Sequence, residues 1–156
     1  MPLNCLTIGQ SHDNILSVDI CNVNTIDRSQ INIDLLKVSH LKKLVLEAAK
    51  YKLNDVVDPD SLKLWKVELR GESLDESSNK VDGSLLEDEN QIEELLKLLE
   101  GRKMGPMEKF RIKDNFPKDY EPKDNHVHII VVLPLLVMFY LSKKDQLNLF
   151  HTIFFS

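Results

Sequence analysis

Four short segments of the chain have the hydrophobic patterns of β-strands. Residues 3–8 and 15–20 alternate between apolar and polar positions on either side of a turn-rich segment, residues 9–14, which predicts a β-hairpin. A third strand begins at Leu62, and because both of its faces carry apolar residues we expect it to be covered on both sides. Residues 127–133 are apolar at nearly every position, a pattern typical of a strand at the centre of a sheet.

Two further segments have the three- and four-residue spacing of amphipathic helices. In the first, Ser39 is the expected N-cap, and residues 54–60, which include Pro59, are expected to close the helix. The second covers residues 91–99 and is expected to end at Gly101. The expected apolar faces comprise Val38, Leu41, Leu44, Val45 and Ala48 in the first helix and Ile92, Leu95, Leu96 and Leu99 in the second.

The intervening segments are polar and predict loops. Residues 22–29 are expected to form a loop, and residues 72–82, rich in Ser, Asp and Glu, a flexible surface loop. Residues 103–125 are charged and contain three prolines, so we expect an irregular segment with room for one helical turn. Its expected anchors are Met107, Phe110, Ile112 and Phe116.

The order of these elements predicts an α+β fold of the β-grasp type, in which a mixed sheet packs on one main helix and the last strand lies parallel to the first. We expect this domain to occupy residues 1–134. Residues 135–156 form an apolar tail outside this plan. The tail lacks a helical or strand period, which favours an accidental extension such as read-through; the alternatives are a membrane-active segment and an extra helix packed on the domain.

Composition narrows the classes of function. A chain of 156 residues fits one domain, and a net charge of −5 gives no general attraction to nucleic acid or anionic lipid. Two cysteines, Cys5 and Cys21, predict free thiols in a reducing compartment. The first dozen residues show no conventional secretory signal, and the apolar run of residues 129–141 is shorter than the roughly 20 residues that span a bilayer, so no stable membrane span is expected.

Candidate chemistry is sparse, and we expect neither an enzyme nor a bound cofactor or metal. His126 and His128 share a strand face, but a metal site needs more ligands, and solvated or capped histidines explain them as well. An acidic stretch lacks the spacing of a calcium loop and suits the N-terminus of the second helix. It comprises Glu87, Asp88, Glu89, Glu93 and Glu94. The glycines form no phosphate-binding loop, and no Gly-x-Ser-x-Gly turn is present.

Four segments, taken in order, carry a family resemblance. They are Leu3-Asn-Cys-Leu-Thr-Ile-Gly9 with Val18-Asp-Ile20, then Val38-Ser-His-Leu-Lys-Lys-Leu-Val45, then Asp60-Ser-Leu-Lys-Leu-Trp-Lys-Val67, and finally His128-Ile-Ile-Val-Val-Leu-Pro134. Together they resemble the N-terminal domain of the Crinkler effectors of oomycetes and some fungi. The third segment lies where that family has Asp-x-Leu-x-Leu-Phe-Leu-Ala-Lys, and the fourth where it has His-Val-Leu-Val-x-x-Pro.

The resemblance implies a ubiquitin-like N-terminal domain that is secreted by a colonising microbe and enters host cells, while a variable C-terminal domain acts there. It marks a translocation-like motif, comprising Leu62, Lys63, Leu64, Trp65, Lys66 and Val67, and a closing motif at the end of the domain, comprising His128, Ile129, Ile130, Val131 and Pro134. Trp65, Lys66, Val67 and Glu68 depart from the family's Phe, Leu, Ala and Lys. The apolar residues of the first motif fit a transport signal or a strand of the core; their alternation favours the strand, and the two explanations can coexist.

The function expected from this resemblance is that of a secreted effector module for trafficking into host cells, without its own catalytic domain, since only the short tail follows Pro134. Secretion by a non-conventional route, a destination in the host cytoplasm or nucleus, and an unknown host protein as partner are implied with it. The alternative is an intracellular ubiquitin-like adaptor that binds a protein through an exposed sheet face. An enzyme that uses the acidic stretch is a third class, which no constellation of residues supports.

Overall fold

The computed structural model describes residues 1–8, 15–49, 57–70 and 89–134. The predicted turn at residues 9–14, the loop at residues 72–82 and the tail at residues 135–156 lie outside these ranges. The strands are β1 (Pro2–Thr7), β2 (Leu16–Asp19), β3 (Val23–Ile26), β4 (Ser29–Asn32), β5 (Lys63–Arg70), β6 (Arg102–Lys103) and β7 (His126–Val132). The helices are α1 (Val38–Ala48) and α2 (Glu89–Leu98), and Ile33–Leu35 and Pro59–Ser61 form single 3-10 turns.

The main sheet has the strand order β2-β1-β7-β5-β6, which places the last strand of the chain at its centre. β7 runs parallel to β1, with Cys5 opposite Ile129, and antiparallel to β5, with Trp65 opposite Ile130. The predicted α+β fold, a ubiquitin-like β-grasp with a mixed sheet, is confirmed, as is the central parallel strand. All the β7 residues after His126 are buried, which explains why each of them except His128 is apolar.

One face of the sheet packs on α1 and forms the larger core. Leu41 and Val45 of the helix meet Leu64 of β5 and Ile129 and Val131 of β7, and each of these side chains is at most 1% exposed. Burying a side chain of this size stabilises the folded state by about 1.5–3 kcal/mol. The spacing of Leu41 and Val45 along the helix is therefore what positions it across the sheet.

The opposite face of the sheet packs on α2. Ile92 and Leu96 of this helix cover Trp65 and Val67 of β5 and Ile130 of β7. The prediction that β5 is covered on both faces is confirmed. A second helical layer thus completes the fold, in addition to the one main helix that the strand order predicted.

The predicted loop at residues 22–29 is wrong, because β3 and β4 form a second hairpin there. Asp27 and Arg28 connect the two strands with φ angles of 50° and 67°, as in a type I′ turn. The strand was not predicted because its buried residue Asn24 is polar and does not give the apolar pattern of a strand. Asn24 is buried because its side chain binds the backbone of Cys21: Oδ1 accepts from the N–H at 3.0 Å, and Nδ2 donates to the carbonyl at 2.7 Å.

The start of α1 also differs from the expectation, since Lys37 and not Ser39 is the N-cap residue. The first free N–H groups of the helix find partners far along the chain. The N–H of Val38 donates to the carbonyl of Glu108 at 2.8 Å, and that of Ser39 to the carbonyl of Pro106 at 3.0 Å. Main-chain carbonyls of the segment after β6 therefore replace the side-chain cap.

The segment predicted to be irregular, residues 103–125, holds no helix and is irregular except for Lys103, which belongs to β6. Phe110 and Phe116 are fully buried, so two of the four expected anchors are confirmed. Met107 is wrong as an anchor because its side chain is 73% exposed, and Ile112 is only half-buried.

Candidate functional site

The translocation-like motif forms the start of β5, and most of its side chains are buried. Leu62 and Leu64 lie under α1, whereas Trp65 and Val67 lie under α2, and none of the four is more than 3% exposed. This alternation follows from the two-residue period of a strand whose two faces are both covered. The apolar half of the motif thus builds both cores at once.

The two lysines of the motif are the members that reach the surface, and each has a partner. Lys63 Nζ lies 3.2 Å from Glu89 Oε2 at the start of α2. Lys66 Nζ lies 5.4 Å from the ring centroid of Phe116 and 5.2 Å from that of Tyr120, within the range of cation–π attraction. Lys66, which departs from the family's leucine, is therefore accommodated by two aromatic rings of the irregular segment.

The closing motif forms most of β7. Ile129 and Val131 lie on the α1 side and Ile130 on the α2 side, all of them fully buried, while Pro134 is half-buried just beyond the strand. Like the first motif, this one contributes to both layers of the core. The two motifs are also neighbours, because Leu64 pairs with Val131 and Lys66 with Ile129 across the β5–β7 ladder.

His128, the polar member of this motif, is 1% exposed and makes a specific contact with β1. Its Nδ1 accepts a hydrogen bond from the backbone N–H of Asn4 at 2.9 Å. The Asn4 side chain in turn donates to the carbonyls of Asp124, at 2.9 Å, and His126, at 2.8 Å. We call this group of three hydrogen bonds the Asn4–His128 clasp; it lies immediately before the parallel ladder of β1 and β7, whose first pair is Cys5 and Ile129.

An aromatic series connects His128 to the irregular segment. Phe110 and Phe116 stack with centroids 4.9 Å apart, Tyr120 meets Phe116 edge-on at 5.1 Å, and the His128 ring lies 6.3 Å from Tyr120. The Tyr120 hydroxyl donates to the carboxylate of Glu68. Desolvation by burial, assisted by Glu68, raises the pKa of Tyr120 above its ordinary value, so this hydroxyl remains a donor.

A second polar cluster, which the sequence did not indicate, folds the segment after β6. Arg102 binds Glu108 through two hydrogen bonds, of 3.0 and 3.1 Å, and donates to Asn115 Oδ1 at 2.5 Å. Asn115 is fully buried and donates to Glu108 and to the carbonyl of Lys109. The hydrogen bond from Arg102 is the main cause that lowers the pKa of Glu108.

The candidate metal and cation sites are not assembled among the described residues, where no three His, Cys, Asp or Glu side chains come together as metal ligands. The imidazole of His126 contacts Asn125, whereas that of His128 turns to Asn4. Of the acidic stretch, Glu87 and Asp88 lie outside the described residues. Glu89 and Glu93 form ion pairs with Lys63 and Lys103.

The adaptor hypothesis needs an exposed sheet face and stays a prediction. Among the described strands, β3 and β4 carry exposed residues, with Val23 51% exposed, whereas the centre of the main sheet is covered on both faces. α1 covers one face, and α2 covers the other across Leu6 of β1, Val67 of β5 and Ile130 of β7. Within the described residues, no helix is both long and apolar enough to cross a membrane.

Comparison with known protein families identifies one that covers most of the chain. The family model described as the Crinkler effector protein N-terminal domain matches residues 1–132, which include all the strands and helices that the structure describes. No curated protein and no solved structure matches the chain. With the family model covering this much of the 156 residues, and both motifs paired at the centre of the sheet, the chain belongs to the Crinkler effector family through its N-terminal domain.

Proposed function

We propose that this chain is the delivery module of an effector: a folded, non-catalytic domain that is secreted and carried into host cells. The observation that supports the proposal most strongly is the family match over residues 1–132. In this proposal secretion follows a non-conventional route, and the destination is the host cytoplasm or nucleus, where the chain meets a host protein.

The burial of the translocation-like motif supports a particular form of this proposal. Leu62, Leu64, Trp65 and Val67 are at most 3% exposed, so a receptor that meets the folded domain does not touch them. The motif therefore serves delivery by maintaining the sheet, and the carrier is recognised as a folded domain and not as a linear peptide.

The experiment measures entry of the full chain into host cells with a reporter that becomes active only in host cytosol. Leu64→Ala should destabilise the fold by about 2–5 kcal/mol and reduce delivery. Lys63→Gln and Lys66→Gln alter the motif at its surface positions and should leave delivery near the wild-type level.

The matched control is Leu41→Ala, which opens the same core from α1, outside the motif. Delivery by Leu41→Ala and Leu64→Ala should fall in parallel with their unfolding midpoints in urea. A loss of delivery in the lysine variants at unchanged stability would instead show a linear signal. If wild-type protein is found only in the cytosol of the producing cell, the delivery function itself is wrong.

A further inference from the structure

The Asn4–His128 clasp requires a particular protonation state of the imidazole. The backbone N–H of Asn4 is a donor at all ordinary pH values, so His128 Nδ1 must be unprotonated to accept it. The ring proton of neutral His128 therefore resides on Nε2, which is buried and makes no hydrogen bond of normal geometry to a described residue. A second proton can bind only at Nδ1, which would then become a donor facing the N–H donor of Asn4.

The clasp substitutes for a regular ladder at one end of the parallel pair. Between β1 and β7 the register begins at Cys5 and Ile129, and before that pair the strands are joined by the side chains of Asn4 and His128. β7 is the central strand, and β1 holds β2 at the outer edge. Opening the clasp would therefore release the start of β1 from β7, while the ladder from Cys5 to Thr7 continues to hold the two strands together.

We propose that His128 is an acid-sensitive latch: protonation of its Nδ1 breaks the hydrogen bond from Asn4 and loosens the attachment of β1 to β7 in mildly acidic solution. The imidazole is 1% exposed, so the added charge would enter the protein interior next to a donor and not an acceptor.

The groups around His128 have opposing effects on its charge. Desolvation by burial is the largest influence and lowers the pKa of His128, and the neighbouring His126 lowers it further. Glu68 of β5, the carbonyl of Lys123 and Asp124 act to raise the pKa. Tyr120 presents its ring to His128 and donates its hydroxyl to Glu68, and Lys66 lies over the same ring. Burial prevails over the carboxylates.

The direction of the pH effect follows from linkage. In the unfolded chain His128 titrates near the ordinary histidine value of about 6.5, whereas the pKa in the folded protein is lower. The unfolded state therefore takes up the proton first as the pH falls. The stabilising contribution is complete above about pH 6.5 and is lost below it, with at most a tenfold change in the unfolding equilibrium constant per pH unit for one group.

His40 has to be separated from this effect, because it titrates in the same direction. Its Nδ1 accepts from the N–H of Lys37 at 3.0 Å, and its pKa is lowered by desolvation and by Lys37 and Lys43. Glu108, whose pKa is also lowered, gives stability that is lost only below about pH 4.5, its ordinary value. Measurements between pH 5.0 and 7.5 therefore isolate the histidines.

Urea unfolding of the full chain across this pH range tests the latch. The key variant is His128→Asn, since its side-chain oxygen provides a non-titrating acceptor near the position of Nδ1. The unfolding equilibrium constant of the wild type should rise as the pH falls toward 5. In His128→Asn this rise should be less steep, by up to a factor of ten per pH unit. His126→Gln is the matched control and should keep the pH dependence of the wild type, reduced only because His126 no longer lowers the pKa of His128. His40→Asn measures the contribution of His40.

A wild-type measurement decides the matter even if His128→Asn fails to fold. Nuclear magnetic resonance follows the His128 ring and the Asn4 amide in one titration. The Asn4 amide should lose its protection from hydrogen exchange as His128 becomes protonated. A pH dependence that is unchanged in His128→Asn, or an Asn4 amide that stays protected while His128 titrates, overturns the latch.

The latch has a consequence for delivery, which rests on the proposed function, whereas the latch itself does not. A delivery domain taken up through an acidic compartment would loosen there and close again in the neutral cytosol. Wild-type delivery should then fall when compartment acidification is blocked. If delivery is insensitive to that block while the latch titrates as described, the proposed route is wrong but the latch remains.

Discussion

Trp65 differs from the phenylalanine that the family has at this position by one buried polar atom and by the larger volume of its ring. The indole Nε1 of Trp65 is inaccessible to solvent and has no hydrogen-bond partner among the described residues. Leaving a buried donor unpaired costs about 1–3 kcal/mol. The extra volume of the indole under α2 offsets part of this cost, so the two opposing effects are of similar size.

Trp65→Phe should therefore change the free energy of unfolding by no more than about 1 kcal/mol, whereas Trp65→Ala should destabilise the protein by about 3–5 kcal/mol. Urea unfolding monitored by circular dichroism measures both. The comparison variant is Tyr120→Phe, which removes a hydroxyl that is paired with Glu68 and should cost about 0.5–1.5 kcal/mol. A large loss of stability in Trp65→Phe would mean that the indole volume outweighs its unpaired donor.

At the scale of elements, the end of α2 shows how a glycine can be required for packing and not for its backbone angle. The left-handed residue is Glu100, with φ 58°, and not the expected Gly101. The N–H of Glu100 donates to the carbonyl of Lys97 at 3.0 Å, and that of Gly101 to the carbonyl of Leu96 at 2.8 Å, which is a Schellman motif. Helix α2 does end where Gly101 predicts. However, Glu100 occupies the left-handed position that is usually a glycine, and Gly101 occupies the position after it.

Substitutions at these two positions should have opposite effects. Glu100→Gly removes the strain of a side chain in the left-handed region and should stabilise the protein by about 0.5–1 kcal/mol, after the entropy of the unfolded glycine is subtracted. Gly101→Ala should destabilise it by about 1–3 kcal/mol, because a Cβ there would lie 2.8 Å from the Leu96 carbonyl oxygen and 3.2 Å from Val67 Cγ1.

Thermal unfolding of both variants checks the signs. Gly105→Ala is the comparison variant for Gly101→Ala, since the atoms nearest to its Cβ belong to the Glu108 side chain, at 3.3 Å, a wider approach than the 2.8 Å to a backbone oxygen at Gly101. Equal losses in the two alanine variants would contradict the role assigned to Gly101.

Elements with a local pattern were predictable from the sequence, whereas those held by distant backbone were not. The apolar run of β7 and the spacing of Leu41 and Val45 each indicate burial directly. By contrast, Asn24 resembles a loop residue because its partners are backbone groups of Cys21, and α1 begins at carbonyls from the segment after β6. The clasp joins residues 124 positions apart, a pairing that depends on the sheet register and not on either local sequence.

At the scale of the whole molecule, the sheet is the inner layer between two helices, and its strands are protected unequally. Cys5 of β1 lies between β2 and β7 and is 1% exposed, and burial raises its pKa to about 12. Cys21, just after β2, is exposed. Neither cysteine forms a disulfide. The two thiols thus report on the interior and the surface of the same domain.

A thiol reagent should modify Cys21 at once and Cys5 only when β1 leaves the sheet. The rates should differ by at least about a thousandfold, the scale set by the free energy of opening a protected core strand. Mass spectrometry of the native protein over time measures both. Cys21→Ser should abolish the fast phase and leave the slow one; rapid modification of Cys5 would show that β1 is not held as described.

The central position of β7 also bears on how the protein is made. Both neighbours of this strand, β1 and β5, are synthesised well before it, and in the folded sheet they are not paired with each other. A nascent chain emerging from the ribosome therefore cannot complete its sheet until residue 132 has left the exit tunnel. Until then the earlier strands expose apolar surface to which chaperones can bind. A polypeptide transferred to an export system at that stage would still be incompletely folded.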